Sequence, residues 1–259
     1  MRLFVIGATG RTGQEIVQQA LARGHHVTAL VRSPQSITVK SERLSVVKGN
    51  ATDENQLFEA MQNHDAVIST LGPREVFKPS SLLNDSARAT SSAMQRSGVK
   101  RLVVLSAAAH FPGIPNRIAS FILRNHMRDS LAMEKIIQAN GLDWTIARPP
   151  RLTQEDSLNY RSREGAAPRM GFTLSRKAVA AFMLDAIEQK KHVRKIVGIA
   201  KWPSELAAIP RRYSSGRDAA VAVSVGAGST QDCLDCIRTA STDRRTPQRA
   251  RSRARSQNS

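Results

Sequence analysis

Residues 7–13 read Gly7-Ala8-Thr9-Gly10-Arg11-Thr12-Gly13, and this stretch decides the fold of the chain. An apolar run at 3–6 precedes it and predicts a β-strand, while residues 12–23 carry apolar side chains at helical spacing. A strand, a loop with glycines at every third position and a helix in succession are what a dinucleotide pyrophosphate requires. Such glycines permit the turn, the approach of the phosphates and close helix packing. We expect the loop to hold a pyrophosphate; a glycine-rich turn without a ligand is the alternative.

The first 200 residues alternate short β-branched runs with helical patterns. Strands are predicted at 3–6, 26–31, 44–47, 66–70, 102–105, 144–147 and 196–199. Helices are predicted at 12–23, from Asp53 onward, and at 81–97, 117–140 and 176–189; Ser175 caps the last, and Gln56 completes a capping box with Asp53. This alternation predicts an α/β fold, a Rossmann-type doubly wound parallel sheet with helices on both faces. We therefore expect a domain over residues 1–200, followed by a tail over 201–259.

The residue that follows the second predicted strand indicates which dinucleotide is bound. An acidic side chain there would bind the ribose hydroxyls of NAD, but this chain has Arg32. A guanidinium group matches the 2′-phosphate of NADP(H) with charge-assisted hydrogen bonds, and Arg11 inside the loop is placed to reach the same group. The sequence therefore predicts NADP(H); the alternative is that Arg32 is a solvated strand end.

Three more segments leave the carboxyl ends of predicted strands, where sheets of this kind bind ligands. Asn50 and Ala51 are expected to flank the adenine, Leu71 and Gly72 to pass the ribose and pyrophosphate, and Ser106 to approach the nicotinamide; each segment could also be an ordinary strand–loop junction. The predicted cofactor-binding residues are Gly7, Thr9, Gly10, Arg11, Thr12, Gly13, Arg32, Asn50, Ala51, Leu71 and Gly72.

The net charge of +18 is typical of proteins that bind nucleic acid or an anionic membrane, so both are considered as partners. The end of the tail, residues 244–255, consists almost entirely of polar and arginine residues, and we expect it to be disordered. It lacks the aromatic residues that stack on bases, so only nonspecific contact with nucleic acid is expected there. Its two cysteines, Cys233 and Cys236, are too few ligands for a structural zinc ion, and no metal site is predicted. No segment resembles a membrane span or a signal peptide, so we expect a cytoplasmic protein without membrane contact; the oligomeric state is not predicted.

The motifs together resemble a known family. GATGRTG at 7–13, LVRSP at 30–34, GNATD at 49–53, ISTLGP at 68–73, VVLSAA at 103–108 and GLDWTIARPPRLT at 141–153 occur in the order found in atypical short-chain dehydrogenase/reductases. The chain is most similar to the NAD(P)H-binding, NmrA-like group, which includes biliverdin and flavin reductases. The resemblance implies a Rossmann domain and an NADPH-dependent oxidoreductase that transfers hydride to a flavin, a quinone or a similar small acceptor. The alternative is a regulator that senses NADP(H) and acts through protein partners without turnover.

Catalytic residues are harder to predict. The helix after the fifth strand lacks the Tyr-x-x-x-Lys pair of the dehydrogenases proper, and neither Tyr160 nor Tyr213 is placed to replace it. Ser106 is a candidate for orienting a substrate carbonyl, with a structural hydroxyl bonded to nearby backbone as the alternative. His110 is a candidate proton donor, against a surface histidine of the loop.

Three further residues of this region have open roles. Ser130 and Glu134 lie where relatives bring polar groups to the pocket, although solvent-facing roles are equally compatible with the sequence. Arg148 is expected either to contact the substrate or to pair with a carboxylate.

Overall fold

The computed structural model describes residues 1–72, 80–111, 124–169 and 171–202 of the 259-residue chain. Residues 203–259 of the predicted tail, with Cys233, Cys236 and Tyr213, lie outside the described residues, as do residues 112–123, where the predicted helix at 117–140 begins. The strands are β1 (Arg2–Ile6), β2 (His26–Val31), β3 (Leu44–Lys48), β4 (Ala66–Ser69), β5 (Arg101–Leu105), β6 (Asp143–Arg148), β7 (Arg151–Thr153), β8 (Arg161–Glu164), β9 (Thr173–Ser175) and β10 (Lys195–Ala200). The α-helices are α1 (Arg11–Ala22), α2 (Glu54–Ala60), α3 (Leu82–Ser97), α4 (Arg124–Ala139) and α5 (Arg176–Glu188).

Eight strands form one sheet in the order β3-β2-β1-β4-β5-β6-β10-β8. All neighbours are parallel except β8, which runs antiparallel to β10 at the edge. The chain leaves β1 in the middle of the sheet and reaches both of its neighbours by crossovers, which creates the switch point where such sheets bind ligands beyond the carboxyl ends of their strands. The predicted α/β doubly wound fold is confirmed.

Helices cover both faces of the sheet because successive residues of a strand point to opposite sides. Leu3 and Val5 of β1 pack in a cluster with residues of α1 and α5. Phe4 and Ile6 of the same strand pack on the other face, in a cluster with residues of α2, α3 and α4. Each face therefore has its own apolar core, and the sheet edges are left for polar residues and ligands.

All seven predicted strands are present, and the structure adds three short strands between residues 151 and 175. β7 and β9 have three residues each and pair with one another as a separate parallel ribbon. β8 reads Arg-Ser-Arg-Glu and is largely exposed, so it has no apolar alternation that would reveal it. The sequence therefore did not predict β8, which pairs with β10 through its backbone.

The start of α2 corrects a second detail. The Asp53 carboxylate accepts a hydrogen bond from the Gln56 N–H at 3.1 Å, as a capping residue should. The Gln56 side chain, however, accepts from the backbone N–H of Asn50 at 2.9 Å instead of that of Asp53. The capping box is only half formed, because the Asp53 N–H already donates to the Asn50 carbonyl.

Candidate functional site

The glycine loop lies at the carboxyl end of β1, and each of its three glycines meets a different steric demand. Gly7 has φ +84°, and a Cβ there would lie 2.9 Å from the carbonyl carbon of Thr70. A Cβ on Gly13 would lie 2.1 Å from the Gly7 carbonyl oxygen, so only glycine lets α1 pack this closely on β1. A Cβ on Gly10 would meet one atom, the Gly7 oxygen at 3.2 Å, and would otherwise project into open space. That open space is where a pyrophosphate would approach the backbone.

The N-terminus of α1 begins directly at this open space. Gly10 is its N-cap and supplies no side-chain hydrogen bond, and the first turn contains no acidic residue. The first N–H groups of a helix have no partner within it, and together with the helix dipole they favour an anion. Thr9 and Arg11 are exposed, whereas Thr12 is buried and offers this edge its backbone N–H.

Several cations surround this edge without a carboxylate partner among the described residues. Arg32, after β2, and Arg11 are both exposed, and neither forms an ion pair with a described residue. Burial and the positive charge of Arg11 lower the pKa of Arg176, at the start of α5. Sequence reasoning missed Arg176, although a basic residue in the first turn of a helix opposes the helix dipole and is a recognisable signal.

The loop after β4 contacts the glycine loop, and the loop after β3 leaves the same edge of the sheet. The hydroxyl of Thr70 donates to the carbonyls of Ile6 and Gly7, which holds the start of the segment with Leu71 and Gly72 against the loop. After β3, the Asn50 side-chain oxygen accepts from the Thr52 N–H at 3.2 Å, so the side chain offers a ligand its amide N–H groups. Ala51 is partly buried beside it.

The carboxyl ends of β5 and β6 carry a buried ion pair. Arg148 donates from Nε to Oε1 of Glu134 at 3.0 Å and from Nη2 to Oε2. The Ser106 hydroxyl donates to the same Oε1 at 2.5 Å. Glu134 is only 1% exposed, so the solvent-facing alternative for this residue was wrong. Arg148 pairs with a carboxylate, which is one of the two roles expected from the sequence. Ser106 is bonded to a side chain rather than to nearby backbone.

His110 lies beside this pair, in a 3₁₀ turn after β5. Its Nε2 is 2.7 Å from the Ser130 hydroxyl, whose side chain is also 1% exposed rather than solvent-facing. Burial lowers the pKa of His110 below its usual 6.5; Glu134 raises it, while Arg148 and His126 lower it further. His110 is therefore partly buried, and its imidazolium loses its proton more readily than that of an ordinary surface histidine.

Tyr160 is not part of this group. Its hydroxyl donates to Asp185 of α5 at 2.5 Å, and burial, reinforced by that carboxylate, raises the pKa of the phenol. This agrees with the prediction that Tyr160 does not replace the missing catalytic tyrosine. In the part of the chain that the structure describes, no cluster of three or more possible ligands could hold a metal ion. No helix among the same residues is long and apolar enough to cross a bilayer.

Comparison with known proteins decides the family. A family model described as NAD(P)H-binding matches residues 7–190. The chain belongs to this NAD(P)H-binding family. The match runs from the first glycine of the loop to the end of α5, so it includes every element around the candidate site and confirms the resemblance seen in the motifs.

Relatives of the NAD(P)H-binding chain include oxidoreductases. The chain is 27% identical over 223 residues to the oxidoreductase stcQ of Emericella nidulans, which covers 74% of this chain and 80% of the relative. It is 30% identical over 159 residues to a (4-alkanoyl-5-oxo-2,5-dihydrofuran-3-yl)methyl phosphate reductase of Streptomyces griseus, covering 61% of this chain and half of that protein. The crystal structure of a Streptococcus pneumoniae protein, whose proposed activity is that of an NADH-flavin reductase, superposes with a TM-score of 0.61 at 22% identity, covering 78% of this chain and all of that one.

Substitutions at two glycines separate folding from binding. Gly10→Ala should change the free energy of unfolding by less than about 1 kcal/mol, because its Cβ would meet only the Gly7 oxygen, at 3.2 Å, yet weaken NADPH binding by about tenfold or more. Gly13→Ala should lower the free energy of unfolding by about 1–3 kcal/mol, because its Cβ must displace backbone. Urea denaturation and fluorescence titration with NADPH measure both effects. Gly141→Ala, with no atom within 4 Å of its Cβ, is the control. A Gly10→Ala variant that binds NADPH as tightly as the native chain would contradict the placement of the pyrophosphate.

Proposed function

We propose that this protein is an NADPH-dependent reductase that transfers hydride to a flavin, a quinone or a similar small acceptor. The observation that carries the proposal is the buried cluster of Ser106, Glu134 and Arg148, with His110 beside it, on the same edge of the sheet as the glycine loop. Buried polar groups at the carboxyl ends of parallel strands are a common setting of an active site. The names of the oxidoreductase and reductase relatives support the same reaction class.

The topology supports a proposed position for the cofactor. With the pyrophosphate at the N-terminus of α1, one half of the dinucleotide extends over β2 and β3 and the other over β4 and β5. The adenosine half then lies near Arg32 and Asn50, and the nicotinamide half near Ser106. Arg32 supplies the charge for a 2′-phosphate, which is why NADPH is proposed over NADH.

When bound, the reduced nicotinamide supplies the hydride. The chain contributes position, exclusion of water and a proton. Glu134 and Arg148 neutralise each other and hold Ser106 in place, and the Phe111 ring lies 4.8 Å from the Arg148 guanidinium and covers it. His110 is the side chain proposed to deliver a proton to the reduced acceptor, because its ring is partly exposed at the rim of the cluster.

The test of the function is turnover by the purified chain. NADPH is mixed with FMN, FAD or a small quinone, and its absorbance near the reduced-nicotinamide band is followed. We expect oxidation of NADPH with at least one acceptor, above the rate without protein. Tight binding of NADPH without oxidation across the panel would instead favour the NADP(H)-sensing regulator, which the absence of a Tyr-x-x-x-Lys pair leaves as the second candidate.

Cofactor choice is tested at Arg32. Arg32→Asp should weaken NADPH binding by about 10- to 100-fold, the value of charge-assisted bonds to one phosphate, and spare NADH. Arg43→Asp makes the same change of charge at the opposite edge of the sheet and should affect neither cofactor. Dissociation constants for both cofactors are measured by titration. An equal loss of NADPH and NADH affinity would show that Arg32 does not contact the 2′-phosphate.

The proton donor is tested by the pH dependence of turnover. Because burial lowers the pKa of His110 below 6.5, its protonated fraction is small at pH 7.5 and rises as the pH falls. Turnover with a quinone should therefore increase from pH 8 toward pH 5.5, and His110→Gln should remove that increase. His64→Gln, at a half-buried histidine on the opposite edge of the sheet, should retain it. A profile unchanged by His110→Gln would mean that water supplies the proton.

A further inference from the structure

The direction of one hydrogen bond determines what Ser106 can offer a ligand. A serine hydroxyl has one proton to donate and two lone pairs with which to accept. The carboxylate of Glu134 accepts two hydrogen bonds from the guanidinium of Arg148, and a carboxylate in such an ion pair has no proton to donate. The hydroxyl proton of Ser106 therefore points to Oε1 of Glu134, which lies 2.5 Å from the serine Oγ. The backbone N–H of Ser106 is also occupied, because it donates to the Ala147 carbonyl at 2.8 Å.

Burial separates the two sides of this hydroxyl. Glu134 is 1% exposed and Arg148 is 8% exposed, whereas Ser106 is partly accessible. The proton thus points toward the buried carboxylate, which leaves the lone pairs of Oγ to accept from a ligand. The sequence made Ser106 a candidate for orienting a substrate carbonyl. A carbonyl oxygen needs a hydrogen-bond donor, so Ser106 cannot fill that role in this arrangement.

We infer that Glu134 is a positioning residue that makes Ser106 a hydrogen-bond acceptor for an N–H group of the bound ligand. The inference rests on the proposed function, which places the nicotinamide over β5. Two groups there carry the required N–H: the carboxamide of the nicotinamide and the imide of a flavin acceptor. A quinone carries none, so the site favours a ligand ring that bears an N–H over one with carbonyl groups alone.

Binding of oxidised cofactors tests the first source. In the 3-acetylpyridine analogue of NADP⁺ a methyl ketone replaces the carboxamide and removes its N–H groups. We expect the native chain to bind NADP⁺ about tenfold more tightly than the analogue, as for one well-placed hydrogen bond. Ser106→Ala should bind the two alike, and Ser45→Ala, on the exposed part of β3, should keep the preference.

A second arm tests the flavin. Lumiflavin and N3-methyllumiflavin, which lacks the imide N–H, are titrated into the chain saturated with NADP⁺, which cannot donate hydride. If Ser106→Ala loses the preference for lumiflavin over N3-methyllumiflavin, the N–H that Ser106 binds belongs to the flavin acceptor. If it loses the preference for NADP⁺ over the 3-acetylpyridine analogue, that N–H belongs to the cofactor. If Ser106→Ala alters neither preference, the inference is wrong.

Glu134→Gln tests the positioning itself. A neutral amide binds the Ser106 proton less strongly and frees the hydroxyl to donate. The ratio of affinities between the ligand with the N–H and its analogue without it should therefore become smaller. If Ser106→Ala abolishes the preference and a folded Glu134→Gln variant keeps it in full, Glu134 does not set the direction of the hydroxyl. Should Glu134→Gln fail to fold, Glu134→Asp, which retains the charge with a shorter reach, takes its place and should also narrow the preference. All of these measurements are equilibrium affinities, so they decide the inference even where no acceptor is reduced.

Discussion

The close contact of α1 with β1 is the constraint on which the rest of the structure depends. A Cβ on Gly13 would lie 2.1 Å from the Gly7 oxygen, so the helix can approach the strand this closely only because residue 13 has no side chain. That approach places the N-terminus of α1 at the carboxyl edge of β1, in the middle of the sheet. The loop after β4 packs on Gly7 in turn, because Thr70 donates to the carbonyls of Ile6 and Gly7. One steric requirement thus brings the helix, the loop and the switch point of the sheet to one place.

A second set of interactions orders the other half of the site. The pair of Glu134 and Arg148 joins α4 to β6, and removing either partner would leave a buried charge that costs about 3–5 kcal/mol. Asp129, one turn earlier on α4, accepts the N–H groups of Leu83 and Asn84 at 3.0 Å each and so caps the first turn of α3 from another helix. Helix α4 therefore anchors both α3 and the residues around Ser106. Its polar residues are structural supports as well as candidates for chemistry.

The sequence predicted the fold well because the pattern of each element agreed with its neighbours. Strand and helix patterns alternate over most of the first 200 residues, and glycines end several helices, so local signals and overall topology pointed the same way. The strand β8 was not predicted because an exposed edge strand of polar residues has no hydrophobic period. The sequence predicted a complete capping box because it does not determine which of two nearby N–H groups the Gln56 side chain reaches.

The glycine loop and Arg32 could be found from residue types alone, because phosphate binding by backbone and by guanidinium depends on local spacing. The pairing of Glu134 with Arg148 could not, because it joins residues of different elements. A signal was nevertheless present: Ser130 and Glu134 are four residues apart, at the spacing of the buried stripe that includes Met133 and Ile137. Polar residues on the apolar side of a helix indicate a buried network or a site, and here they mark both.

The central claim is that the dinucleotide lies across the switch point, with its pyrophosphate at α1 and its nicotinamide at β5. A crystal structure of the protein with NADP⁺ tests it most directly. The account predicts pyrophosphate oxygens within hydrogen-bond distance of the N–H groups of Arg11 and Thr12, and a nicotinamide ring beside Ser106. A dinucleotide bound elsewhere, or one whose nicotinamide points away from β5, would contradict it.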